Sequence, residues 1–192
     1  MTEAVPAFNA ESLFQAYATL VASSFAWAIA DWGRRTGRTP TAEAFEPFVW
    51  ALAEKGRQIT APAYLLAVQD LQRGAREIAR FFVEHDVWLT PTLGEPPVPL
   101  GTFAFSQEDP FAMRRRIRIF DPFTYLSNAT GQPAMSVPLY WNGDNLPVGT
   151  HFVGRLGEEA TLFRLAGQLE AARPWANRRP SIVASAGSHD GT

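Results

Sequence analysis

Residues able to carry nucleophilic or acid–base chemistry are few and widely spaced in this chain. Ser23 and Ser24 adjoin, but no glycine flanks them to make the exposed turn that a nucleophile and its oxyanion donors need. They fall inside an apolar repeat of helical period and read as ordinary helix. Lys55 is the only lysine, so a lysine base is Lys55 or none. It stands at the end of a helical segment, where a cation complements the helix dipole. His85 and Asp86 adjoin at another helix end, and His151 falls in a strand pattern that points it to one face. Ser185, His189 and Asp190 lie in a small-residue tail without a core, and a triad needs rigid support. The 3 histidines offer no metal-ligand spacing, and the absence of cysteine excludes thiolate nucleophiles, disulfides and thiolate-zinc sites.

Two polar groupings remain. Arg114, Arg115, Arg116 and Arg118 concentrate positive charge on one short helix. A phosphate or nucleic-acid patch is one reading and a solvated helix face the other. The net charge of −2 and the lack of interleaved aromatic residues favour the second. Asn128, Thr130 and Gly131 form the other grouping: two hydrogen-bonding side chains beside a glycine that permits close backbone approach. They read either as a substrate contact or as the shaping of a turn.

The elements that must position these residues follow from period and punctuation. Asn9 caps a first helix that should run to about Trp32 and stop at the loop 33–40. Thr41 caps a second helix with Phe45, Phe48, Val49 and Leu52 as its buried stripe, ended by Gly56. Thr60 opens a longer third helix, with Pro62 in its first turn and Val68, Leu71, Ala75, Ile78 and Phe82 on one face. His85 and Asp86 close it, and Val87–Thr90 reads as a short buried strand stopped by Pro91. An irregular connection over 91–110, anchored by Leu100, Phe103 and Phe105, reads as a scaffold cover or pocket wall. A helix over 111–120 and a helical turn over 123–130 precede a strand, 134–139, apolar enough to be covered on both faces. Asn142-Gly143-Asp144-Asn145 signals a turn into a strand over 148–153. A last helix opens near Gly157 and ends before Pro174. No stretch reads as a membrane span, no signal peptide pattern is present, and a cytoplasmic location is expected.

Several separated segments resemble, in order, the C-terminal motifs of amidase signature hydrolases. They are Asp86-Val87-Trp88-Leu89-Thr90-Pro91-Thr92, then Asn128-Ala129-Thr130-Gly131-Gln132-Pro133-Ala134-Met135-Ser136-Val137-Pro138, then Leu146-Pro147-Val148-Gly149. Phe152-Val153-Gly154-Arg155 and Gly157-Glu158-Glu159-Ala160-Thr161-Leu162 complete the set. The helical region from Phe14 to Phe82 is similar to the branch containing 6-aminohexanoate cyclic-dimer hydrolases and related bacterial amidases. The resemblance implies an α/β fold, with helices packed on both sides of a mixed β-sheet. It implies hydrolysis of linear or cyclic carboxamides by a serine nucleophile, a second serine with a cis peptide bond and a lysine base, without a cofactor. It also places Asn128, Thr130 and Gly131 near the acyl-substrate pocket.

No Gly-Ser-Ser-Gly-Gly loop occurs here, and that catalytic loop belongs to the family's N-terminal half. The expectation is therefore residues 1–180 as the C-terminal part of an amidase domain, a disordered tail over 181–192, and no catalytic residue of its own. A truncated gene, a misplaced start and a split enzyme all remain open. The expected partners are a small-molecule amide and either the missing half or a second copy, with no nucleic acid and no membrane. A non-catalytic remnant or binding module is the competing reading.

Overall fold

The Asn9 side chain accepts the Ser12 N–H at 2.9 Å, and this cap sets the start of helix α1, Ala10–Thr36. The computed structural model describes residues 2–179 except 105 and 107. The expected disordered tail and the anchor Phe105 lie outside those residues. Helix α1 continues a turn beyond Trp32 and stops at Gly37, whose left-handed φ of 68° suits glycine.

The second helix departs from expectation at both ends. Thr41 opens only a 3-10 turn, Ala42–Ala44, and α2 spans Pro47–Arg57. Pro47 is favoured in the first helical turn and forces the residue before it, Glu46, into an extended conformation. Phe45 therefore lies outside the helix and stacks on Trp50 at 5.8 Å. Gly56 does not end α2 but is buried within it against α1, where a Cβ would lie 2.1 Å from the Ala22 carbonyl oxygen.

Thr60 caps α3, Ala61–Phe81, by accepting the Ala63 N–H. Its buried residues are Ala67, Leu71, Gly74 and Ile78. The buried face is therefore turned slightly from the expected one, with Val68 and Ala75 at its margin. Gly74 is the reason, since a Cβ there would sit 2.7 Å from the Leu13 side chain of α1. Leu13, Ala16, Leu71, Ile78, Phe82, Leu126 and Val153 form the main core. His85 does not close α3; it follows the helix and stacks on Phe81 at 4.1 Å.

Helix α1 is the one described stretch that bears on the membrane expectation. Its 27 residues include a window of mean hydropathy 1.4, so length and composition would suffice to cross a membrane. In the structure its alanines serve close packing against α2 and α3.

Strands β1 (Val87–Pro91), β2 (Ala134–Trp141) and β3 (Pro147–Gly154) form an antiparallel sheet in the order β1-β3-β2. The strand expected to be buried, β1, is an edge strand with Leu89 half-exposed. Pro91 does not stop it but pairs with Thr150. Because the Thr92 N–H donates to the Gly149 carbonyl, the Pro91 nitrogen faces the open edge, where no donor is required. Strand β2 is covered on one face rather than two. Met135, Val137 and Leu139 pack with Phe152 and Leu162, while Ala134, Ser136 and Tyr140 are exposed. Helix α6, Glu159–Ala172, covers that first face, and α3 with the short α5, Thr124–Thr130, covers the end of the other. Helices on a sheet make the fold α/β, as expected.

Candidate functional site

Helix α4, Ala112–Phe120, lies across the N-terminal end of α1 and carries the four arginines. Each has a different environment. Arg115 pairs with Asp109, and Arg116 grips Glu95 with two bonds of 2.6 and 2.7 Å. Arg118 donates to Glu11 at 2.7 Å while its guanidinium lies 4.3 Å from the Phe14 ring centre. Arg114, one turn before Arg118 and on the same side of the helix, lies 5.7 Å over the same ring. The side-chain amide of Gln15 and then Arg118 hold the Glu11 carboxyl below its ordinary pKa.

Asp121 joins α4 to α5. Its Oδ1 accepts both the Thr124 N–H, at 3.1 Å, and the Thr124 hydroxyl, at 2.7 Å, which orients the first turn of α5. Tyr125 and Asn128 follow at a spacing of three and so share a face, which meets α1 and α4. There they border a cavity of about 100 Å³ with Phe14, Tyr17, Arg114 and Arg118. Tyr125 packs edge-on against Phe14 at 5.7 Å. Burial raises the pKa of its phenol, so at neutral pH it is a hydrogen-bond donor.

The three expected site residues therefore divide. Asn128 borders the cavity. Thr130 turns elsewhere: its hydroxyl donates to the Leu126 carbonyl at 2.8 Å and lies 2.9 Å from Gln132 Oε1. Gly131 adopts φ 79° and ends α5, its N–H donating to Ser127 at 2.8 Å. Thr130 and Gly131 thus shape the turn that aims α5 and β2. The cavity also brings in Tyr17 and Tyr125, which the sequence does not mark as site residues, and Arg114, which it marks only as one of a charged cluster. The signals were the arginine cluster and the helical spacing of Phe14 and Tyr17, but neither says which elements meet.

A second polar row crosses the sheet. The register sets Thr90, His151 and Ser136 side by side on β1, β3 and β2. Thr90 Oγ1 lies 3.1 Å from His151 Nδ1, and Thr92 Oγ1 lies 2.6 Å from Ser136 Oγ. Gly149 makes the second contact possible, since a Cβ there would lie 2.5 Å from both oxygens. Burial depresses the His151 pKa, with the negative charge of Asp121 acting in the opposite direction.

The remaining chemistry-bearing side chains are occupied locally. The Ser23 and Ser24 hydroxyls donate to the Thr19 and Leu20 carbonyls at 2.9 and 2.8 Å. Lys55 is in the last turn of α2, its Nζ 5.8 Å from the Phe111 ring centre. Over the irregular connection, Phe103 packs on Phe120 at 5.0 Å, while Leu100, expected as an anchor, is fully exposed. Leu93, Val98 and Phe103 of that connection line a shallow groove with Phe120.

Comparison with known proteins assigns the family. The Amidase family model matches residues 1–163, and the chain belongs to that family. It is 28% identical over 183 residues to the 6-aminohexanoate-cyclic-dimer hydrolase of Paenarthrobacter ureafaciens, covering 92% of this chain and 37% of that protein. The protein named "Putative amidase AmiC" of Mycobacterium leprae (strain TN) is 41% identical over 110 residues, or 57% of this chain and 23% of that protein. A solved structure of 6-aminohexanoate cyclic dimer hydrolase superposes with a TM-score of 0.84 at 28% identity, over 94% of this chain and 39% of that one. The chain thus spans well under half the length of these relatives.

Proposed function

We propose that this chain is the C-terminal, pocket-forming part of an amidase that cleaves linear or cyclic carboxamide bonds. In this reading the serine, cis-serine and lysine of the reaction come from residues outside these 192. The carrying observation is the family match over residues 1–163 in a chain whose only adjacent serines spend their hydroxyls on helix carbonyls. A neutral lysine would deprotonate the nucleophile through the bridging serine, and backbone amides would hold the oxyanion. Asn128 supplies a substrate hydrogen bond at the pocket; Thr130 and Gly131 hold the turn that presents it.

The partners are a small-molecule amide and the catalytic half, or a second copy in its absence. Exposed Trp27, Trp32, Leu65 and Leu66 on α1 and α3, with the open edges of β1 and β2, support such a need. Nucleic acid and membrane have no part in this reading, since three of the four α4 arginines already face carboxylates. A cytoplasmic setting and a cofactor-free reaction complete it.

A serine-directed fluorophosphonate probe tests the division of labour. The isolated 192-residue chain should remain unlabelled, and the same chain produced with a Gly-Ser-Ser-Gly-Gly half should direct labelling to that half. Covalent modification of a serine in this chain would overturn the proposal.

A further inference from the structure

Charge matching around α4 is incomplete in one place. Arg115, Arg116 and Arg118 each have a carboxylate partner, whereas Arg114 has none among the described residues. Arg114 is also partly buried, over Phe14, at the cavity that Asn128 borders. A guanidinium drawn over an aromatic wall and left without an anion is poorly compensated unless a ligand supplies one. Asp121, the single acidic residue bordering the cavity, directs its carboxylate to the Thr124 N–H and hydroxyl. Glu11 is engaged by Gln15 and Arg118. Besides Arg118, whose guanidinium is paired with Glu11, the other polar groups at the cavity are the Asn128 amide and the hydroxyls of Tyr17 and Tyr125, all able to donate. A volume of about 100 Å³ has room for a carboxylate on a short alkyl stem but not for a bulky phosphate ester.

We infer that this cavity binds a carboxylate, with Arg114 as its counter-ion, so that the amide handled here carries a free carboxylate at one end. The identification of that ligand as substrate rests on the amidase reading; the anion site itself does not. Phe14, Tyr17 and Tyr125 would flank the alkyl stem, and Asn128 would add a neutral hydrogen bond beside the ion pair. The arrangement favours carboxylate over carboxamide of the same length, because only the former satisfies the guanidinium.

Titration of the 192-residue chain with hexanoate, hexanamide and hexylammonium, followed by NMR chemical shifts, tests this. Hexanoate should bind about tenfold more tightly than hexanamide, with shifts at Tyr125 and Asn128, and hexylammonium should not bind there. Arg114→Gln should lower hexanoate affinity to that of hexanamide, and Arg114→Lys should retain part of the preference. An Arg73→Gln control, at an exposed pair with Asp70, should leave it intact. Equal affinity for hexanoate and hexanamide, or full hexanoate binding by a folded Arg114→Gln protein, would overturn the inference. Neither result touches fluorophosphonate labelling, so the anion site and the amidase reading can fail separately.

Discussion

The α1–α3 core and the α4–α5 wall are built on opposite rules, although both rest on the same helix α1. In the core, contacts close completely: Ile78 and Phe82 are fully buried, and Gly56 and Gly74 remove side chains so that helices meet. Along the wall, contacts stop short. Four arginines meet three carboxylates, and a cavity remains between three elements. Packing energy grows with closure, whereas ligand binding needs a place where closure is withheld. In the proposed function, substrate contact is assigned to the wall, and the closed packing assigns stability to the core.

Substitutions in the two regions should therefore separate cleanly. Phe82→Ala empties the centre of the core and should cost about 4 kcal/mol in urea unfolding. Gly56→Ala drives a methyl group into the Ala22 carbonyl and should cost about 3 kcal/mol, although it adds apolar volume. A near-neutral result there would mean that α1 and α2 slide apart easily, and the contrast with the wall would weaken.

His151 lies between the regions and gives the comparison a pH axis. Its pKa is depressed in the folded chain, so the unfolded chain binds more protons as the medium becomes acidic. Its contribution is fully present above the ordinary histidine value of about 6.5 and is lost as pH falls through the lower, folded value. His151→Gln should flatten that part of the stability profile in thermal melts.

Wall substitutions should do least to stability. Glu95→Gln breaks a bidentate but partly exposed pair and should cost roughly 1 kcal/mol or less. Asn128→Ala, on an exposed side chain, should change stability by under about 0.5 kcal/mol. In an assembled enzyme the same change should raise KM several-fold, with a smaller effect on kcat. A stability loss at Asn128 as large as that at Gly56 would erase the distinction between core and wall.

Local order was legible wherever a residue's role depends on near neighbours. Asn9 and Thr60 are caps because their side chains reach N–H groups three residues on, and Gly131 ends α5 because its φ is positive. The Thr41 expectation failed for an equally local reason, the pull of Pro47 on Glu46, which a cap search alone overlooks. Burial of β1 and β2 was overestimated because an apolar strand looks alike at an edge and in the middle of a sheet.

The sequence by itself determined the family, the order of the elements, and the turn bearing Asn128, Thr130 and Gly131, because motifs and periodicity are properties of contiguous residues. Only the tertiary structure decided that Asn128 borders a cavity while Thr130 turns away, and that Arg114 goes unmatched among the described residues when Arg118 finds Glu11, 107 positions distant. Likewise, Thr90 meets His151 across 61 positions through strand register alone. Such pairings depend on how helices cross and strands align, which is set by side-chain volume summed over the whole core.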